Sequence, residues 1–335
     1  MINIAGRVVG DRKTFIIAEI GSNHCQDLQV AYDSIDAAVE TGADAVKFQS
    51  INIHELYFDP SPQTIELHKK IDFPEDWHYK LKSYCDRKGV IFFSTPTYLK
   101  SIDILEEINV PVYKLASAQV GTFPQLVAKV ASLMKPVVLS TGLVSYSELE
   151  RVVRIFHKAG NDQFVILHCN SIYPTPYEKV NLGLMDTYKK MFQCIVGFSD
   201  HTEGIYVPIA AVARGAKVIE KHFALKRTLP SPDAPLALEP SEFSDMVKGI
   251  RAVEQTIGEN VRMEIFEEEL NFKNSILTRL VLRTDKKEGE LLSENDFTFL
   301  RHHSGVNCKD IGLVLNRAAV RALKKGTVLQ HNDFI

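Results

Sequence analysis

The sequence predicts an α/β protein, a (β/α)8 TIM barrel followed by a small β-rich C-terminal domain. Three observations carry this reading. Short apolar, often β-branched runs alternate eight times with amphipathic stretches; the runs are apolar throughout; and the texture changes after residue 274. Continuously apolar strands indicate burial on both faces, as in a parallel sheet. Eight βα units in about 225 residues suit a closed barrel better than a doubly wound open sheet. No glycine-rich dinucleotide fingerprint follows the first strand, which further weakens the open-sheet alternative.

The strand-like runs are Phe15–Ile20, Ala45–Gln49, Val90–Ser94, Val112–Ala116, Pro136–Ser140, Phe164–His168, Ile195–Phe198 and Ala216–Glu220. Between them, Leu28–Thr41, Glu75–Lys88 and Tyr146–Lys158 carry apolar residues three and four apart, the spacing of a helix face. A final helix is expected over Ser241–Ile257, stopped by Gly258. The charged stretch ENVRMEIFEEEL then reads as a linker or an exposed helix. Beyond it, Ser275–Leu282, Thr298–Leu300, Ala318–Val320 and Val328–Leu329 are β-type runs separated by turn-like pieces such as KKEGE and KKGT. The expected organisation is a barrel over 1–260, a linker over 261–273 and a second domain over 274–335.

Bulk properties exclude several function classes. Of the 335 residues 45% are hydrophobic and 24% charged, ordinary for a soluble globular chain. A net charge of −3 gives no electrostatic reason to expect nucleic acid or an anionic membrane as partner. The five cysteines, Cys25, Cys85, Cys169, Cys194 and Cys308, show no CxxC spacing, so a reducing cytoplasm is expected rather than a disulfide framework. The N-terminal segment lacks the apolar stretch of a signal peptide, and no run is long enough to span a bilayer.

In a (β/α)8 barrel the chemistry lies at the C-terminal ends of the strands. Those ends carry Glu19; Lys47 and Gln49; Ser94 and Thr95; Lys114 and Ser117; Ser140 and Thr141; His168 to Ser171 with Tyr173; Ser199 to Thr202; and Glu220 to His222. A lone strand-end serine or histidine is commonly structural. Eight polar ends converging on one rim are informative. Lys47 and Lys114, ringed by Ser94, Thr95, Ser117, Ser140 and Thr141, match the needs of a small dianionic phosphate ester. Gly142 would let the amides of a helix start approach that phosphate. His201 and His222, on neighbouring strands, suit an open divalent-metal site with Asp200 or Glu220 as orienting groups. The alternative is a pair of rim histidines held by those same two carboxylates.

The segments AEIGSNH, GADAVKFQ, FSTP, YKLAS, LSTG, HCNSIYP, GFSDHTEG and GAKVIEKHF, in that order, resemble the sialic acid synthase family over about residues 15 to 240. The C-terminal segment is similar to the antifreeze-like (SAF) capping domain of those enzymes. The resemblance implies condensation of phosphoenolpyruvate with an N-acylated hexosamine aldehyde to give a nonulosonic acid and phosphate. By matching position, Lys47, Thr95, Lys114, Ser117, Ser140, Asn170 and Ser199 would hold phosphoenolpyruvate, with Ser94 and Ser171 alongside. His201 and His222 would hold manganese or magnesium. Glu19, Gln49, Tyr173 and Asp233 would face the sugar, and Asp200 lies in the same motif as His201. Arg301 would reach a partner's site, implying a domain-swapped homodimer.

The chain departs from that pattern in four places. Gln119 stands where the family has Glu; Ser231, Ala234 and Ala237 stand where Gly, His and Ser are usual; Gln26 replaces a Gly; and the segment between Gln49 and Glu75 is shorter. Two other readings compete: a Schiff-base aldolase using Lys47 or Lys114, and a sugar-binding relative whose catalysis is lost through Gln119.

Overall fold

The computed structural model describes residues 1–258, 261 and 264–335. It divides into two compact units, Met1–Gly258 and Glu259–Ile335.

The first unit opens with a short antiparallel hairpin, β1 (Ile2–Ile4) and β2 (Arg7–Val9). Eight parallel strands follow: β3 (Phe15–Gly21), β4 (Ala45–Ser50), β5 (Ile91–Pro96), β6 (Tyr113–Leu115), β7 (Val137–Ser140), β8 (Phe164–Cys169), β9 (Ile195–Asp200) and β10 (Val218–His222). Their hydrogen-bonded order is β5-β4-β3-β10-β9-β8-β7-β6. The two end strands, β5 and β6, also lie alongside each other, so the sheet curls into a barrel. All eight predicted runs are strands, with ends shifted by up to two residues.

Apolar residues on the outer face of the strands pack against the surrounding helices, as in Tyr146–Ala159. Its buried stripe is Leu149, Val152, Val153 and Phe156, its start is closed by a Ser145–Glu148 capping box, and Gly160 ends it at φ +74°. Inside the barrel a second cluster joins Phe15, Ile17, Phe93, Val138, Val165 and Val218 to Ile2, Ile4 and Val9. The hairpin, unforeseen in the sequence, therefore plugs the N-terminal end of the barrel. The segment between Gln49 and Glu75 is not a plain loop but holds two short helices, Ile53–Leu56 and Pro62–Ile71.

The last barrel helix spans Pro240–Thr256. In the charged stretch, residues 259, 260, 262 and 263 lie outside the described residues, and Glu267–Ser275 is an exposed helix, the second of the two forms expected there. Three glutamates in its first turn complement the helix dipole. The second unit pairs β11 (Thr278–Leu282) antiparallel with β12 (Phe297–Arg301) over a small core including Leu280, Leu292, Phe297 and Leu323. The predicted runs Ala318–Val320 and Val328–Leu329 form single bridges there, not strands. All five cysteines are free. Among the described residues no helix is long and apolar enough to cross a membrane.

Two buried histidines of the first unit couple its stability to pH. Burial holds both His24 and His78 down to about 4, against only partial opposition from Asp233 and from the Glu75 carbonyl respectively. The unfolded chain, titrating near 6.5, takes up these protons first as pH falls. Their contribution is thus fully present above about pH 6.5 and drains away toward pH 4, each group costing up to about 1.4 kcal/mol per pH unit. Thermal unfolding followed from pH 7 to pH 4 should show the melting temperature falling from just below pH 6.5. A plateau down to pH 5 would contradict this.

Candidate active site

Residues two apart on a strand share a face, and this period builds the site. The lower inward positions, among them Phe15, Ala45, Phe93, Val138 and Val218, are apolar. One step nearer the C-terminal ends, the inward positions become Glu19, Lys47, Thr95, Lys114, Ser140, Cys169, Ser199, Glu220 and His222. They line a cavity of about 450 Å³, completed by Gln49, Ser117, Gln119, Ser171, Tyr173 and His201, with Leu143 on its wall.

Four buried charges form a chain across the cavity floor. Lys47 Nζ lies 2.7 Å from Glu19 Oε2 and 3.7 Å from Glu220 Oε2. Lys114 Nζ lies 3.2 Å from Glu220 Oε1. Lys47 also donates to Thr95 Oγ1 at 3.1 Å, Ser199 Oγ to Glu220 Oε1 at 2.9 Å, and Gln49 Nε2 to Glu19 Oε1 at 2.7 Å. The ladder register explains the pairs, since Glu19 stands beside Lys47 and Glu220 beside Ser199.

The electrostatic consequences differ by position. Burial raises the Glu19 carboxyl, with Lys47 opposing and Glu220 adding to the rise. Burial alone would lower Lys47, but Glu19 and Glu220 hold it above the ordinary lysine value. Lys114 is lowered by burial, which Glu220 offsets only in part. Burial would raise Glu220, yet Lys114 and Lys47 together hold it down to about 2.

Hydroxyls and one amide surround the lysines. Gly142 N donates to Ser117 Oγ at 2.8 Å. A Cβ on Gly142 would meet Ser171 Oγ at 2.4 Å and Ser171 N at 2.9 Å, so only glycine fits this approach. The buried Ser140 Oγ and Gln119 Oε1 have no hydrogen-bond partner among the described residues. Buried polar atoms left open in this way are characteristic of groups awaiting a ligand.

The histidine pair stands at the ends of β9 and β10, with His222 beside Glu19 in the ladder. His201 Nδ1 donates to the Asn170 carbonyl at 2.7 Å, which leaves Nε2 as the lone-pair nitrogen. Burial, aided by His222, holds His201 down to about 3, so the ring is neutral. The two imidazole centroids are 5.4 Å apart, the Tyr173 ring centroid lies 4.2 Å from that of His201, and His222 Nδ1 is buried without a partner among the described residues. Two buried imidazoles, one with its tautomer fixed by a carbonyl, are a donor set that fits a divalent transition metal.

Most of the site residues expected from sequence meet in this cavity: Glu19, Lys47, Gln49, Thr95, Lys114, Ser117, Gln119, Ser140, Ser171, Tyr173, Ser199, His201 and His222. Others do not line it. Ser94 faces outward and bonds to Ser50 Oγ at 2.8 Å. Asn170 sends its amide to Lys179 O at 3.0 Å, and Asp233 accepts from Ser22 Oγ at 2.9 Å. Arg301 is exposed at the end of β12, in the second unit. Asp200 corrects the sequence reading most clearly. It points out of the barrel to Lys221 and holds neither substrate space nor a histidine. Glu220, the other suggested histidine partner, instead bridges the two lysines. That bridging role and the presence of Cys169 in the wall were both missed; inward alternation along β8 and β10 was the signal for them.

The profile described as the NeuB family matches residues 34–262. The chain belongs to the NeuB family. It is 33% identical to N,N'-diacetyllegionaminic acid synthase of Campylobacter jejuni, over 95% of this chain and 99% of that protein. It is 34% identical to human N-acetylneuraminate-9-phosphate synthase, over 87% and 84% respectively. Among solved structures, N-acetylneuraminic acid (sialic acid) synthetase of Leptospira borgpetersenii superposes with a TM-score of 0.75 at 34% identity, covering 82% of this chain and 96% of that one. NeuB membership makes the chain an enzyme of the acid-synthase kind.

The charge chain has a direct test in stability. Lys114→Met breaks a buried pair and strands part of the Glu220 charge, a loss on the order of 3–5 kcal/mol. Lys114→Met with Glu220→Gln should recover most of that loss in urea unfolding. A double variant no more stable than the single one would contradict the pairing.

Proposed function

We propose that this NeuB-family chain condenses phosphoenolpyruvate with an N-acylated hexosamine aldehyde, N-acetylmannosamine or a diacetamido-trideoxyhexose, to give a nonulosonic acid and phosphate. The observation that carries the reading is the convergence of two buried lysines, a row of hydroxyls and a buried histidine pair in one cavity. Relatives bearing the names of sialic and legionaminic acid synthases support it.

Lys47 and Lys114 bind the phosphate and carboxylate of phosphoenolpyruvate, with Thr95, Ser117, Ser140 and Ser199 supplying short donors. Gly142 lets Ser171 pack close and holds Ser117 Oγ through its N–H, so both hydroxyls stay in the wall. Glu220 keeps both ammonium groups in place before the anion arrives, so the site is preorganised rather than assembled on binding. His201 and His222 would hold a divalent ion, manganese or magnesium. Among the described residues no group of three metal-binding side chains occurs, so water or substrate oxygens would have to complete its coordination. Such an ion, when bound, supplies Lewis-acid polarisation of the aldehyde oxygen.

The methylene carbon of phosphoenolpyruvate forms the new C–C bond to the aldehyde carbon. Water adds at C2, and phosphate leaves by C–O cleavage with its charge balanced by the lysines. Water loses both protons as its oxygen becomes the C2 ketone: one departs with the phosphate, and the other passes to the aldehyde oxygen. Glu19, raised by burial, is the carboxyl suited to carry that proton. Gln119 is an amide that cannot exchange a proton at this position, which leaves the task to Glu19. The same geometry disfavours Schiff-base chemistry at Lys47, which is held in its charged, non-nucleophilic form, and leaves Lys114, lowered by burial beside Glu220, as the lysine an aldolase would use. In this reading the second unit is an antifreeze-like cap, and Arg301 serves the site of a partner in a swapped homodimer.

Phosphate release from phosphoenolpyruvate, measured with manganese across a panel of hexosamines, tests the proposal. Release should require both sugar and metal and vanish with chelator. Chelator-insensitive turnover trapped by borohydride would establish the aldolase instead, and absence of release with every sugar would favour a binding relative.

A further inference from the structure

The Asp200 and Lys221 side chains are 0% and 1% exposed, at 2.6 Å from each other, and neither lines the cavity. The register sets them directly opposite on β9 and β10. Each immediately precedes an imidazole, Asp200 before His201 and Lys221 before His222. By strand alternation they point out of the barrel where Ser199, Glu220 and His222 point in.

Their bonds converge on one turn. Lys221 Nζ donates to Asp200 Oδ2 and to the Thr202 carbonyl. Asp200 accepts from Thr202 N at 2.9 Å and from Thr202 Oγ1 at 3.1 Å. His201 is therefore flanked on both sides by residues anchored to the strand that carries His222. From the opposite side, Thr175 N donates to His201 O at 2.8 Å. A buried ion pair of this kind is weak as a source of stability, because apolar groups of similar volume often serve equally well. Its bonds do, however, define where one imidazole stands relative to the other.

We propose that Asp200 and Lys221 are positioning residues, an outward-facing clamp that fixes the His201 turn against the His222 strand and so sets the geometry of the histidine pair. The clamp acts through His201, keeping its Nδ1 on the Asn170 carbonyl and its Nε2 toward the cavity. Its service to a divalent ion rests on the metal reading given above.

The test uses full-length protein and the variant Asp200→Asn/Lys221→Met, which removes both charges and strands neither. In metal-free protein, nitrogen-15 spectra of the histidine side chains report the His201 tautomer, assigned by loss of its signal in His201→Gln. Wild-type protein should show the proton on Nδ1, and the double variant a mixture of both tautomers. Mn²⁺ affinity, read from the paramagnetic resonance of the free ion, should fall about 10–100-fold in the double variant. Its melting temperature should stay close to wild type, separating positioning from folding. The isosteric Asp200→Asn alone should move both readouts in the same direction. An unchanged tautomer with unchanged Mn²⁺ affinity in the folded double variant would overturn the clamp. A tautomer shift in a protein whose wild type binds no Mn²⁺ would uphold the clamp and defeat the metal reading instead.

Discussion

Glu220, held between Lys47 and Lys114, is the constraint on which the rest of the cavity depends. Two ammonium groups cannot share a dry barrel interior without a countercharge, since each burial is costly and each repels the other. Glu220 meets that need from the strand that carries His222, and Ser199 fixes one of its oxygens. Both lysines keep a carboxylate partner without consuming all of their donor capacity. In the proposed reading, an entering dianion would find this site already formed.

The barrel makes this arrangement possible by dividing its interior in two. Below, the inward positions are apolar and the β1–β2 hairpin seals them from water. Above, every strand contributes a polar group to the same level. Exclusion of water from below strengthens each charge interaction above it. Gly197 reflects how tight the interior is: a Cβ there would lie 2.4 Å from the Val218 carbonyl oxygen and 2.5 Å from Leu167 Cδ2. One register serves both faces. It aligns Glu220 with Ser199 inside and Lys221 with Asp200 outside, so the charge chain and the clamp are two products of the same pairing of β9 with β10.

Much of this was legible in the sequence. Eight apolar runs gave the strands, because parallel strands buried on both faces leave a continuous apolar signature. Convergence of strand-end polar residues located the cavity. What strand ends could not distinguish was facing. Ser94, His168, Asp200 and Lys221 share the polar ends but fall on outward positions, whereas Cys169 and Glu220 fall inward. The two-residue period, counted from Glu19, Lys47 or Ser199, separates them. The hairpin was missed because three-residue strands carry too little pattern to register. The helix Glu267–Ser275 was ambiguous because it buries no apolar stripe in its own unit.

Calorimetric titration of phosphoenolpyruvate into metal-free protein, with chelator present, tests the central claim most directly. The comparison is between wild type and Lys114→Met/Glu220→Gln, whose charge balance is preserved. The account predicts binding by the wild type and its loss in the folded double variant, because only one ammonium then remains to face the anion. Undiminished binding in the double variant would contradict the assignment of the lysine pair as the anion site.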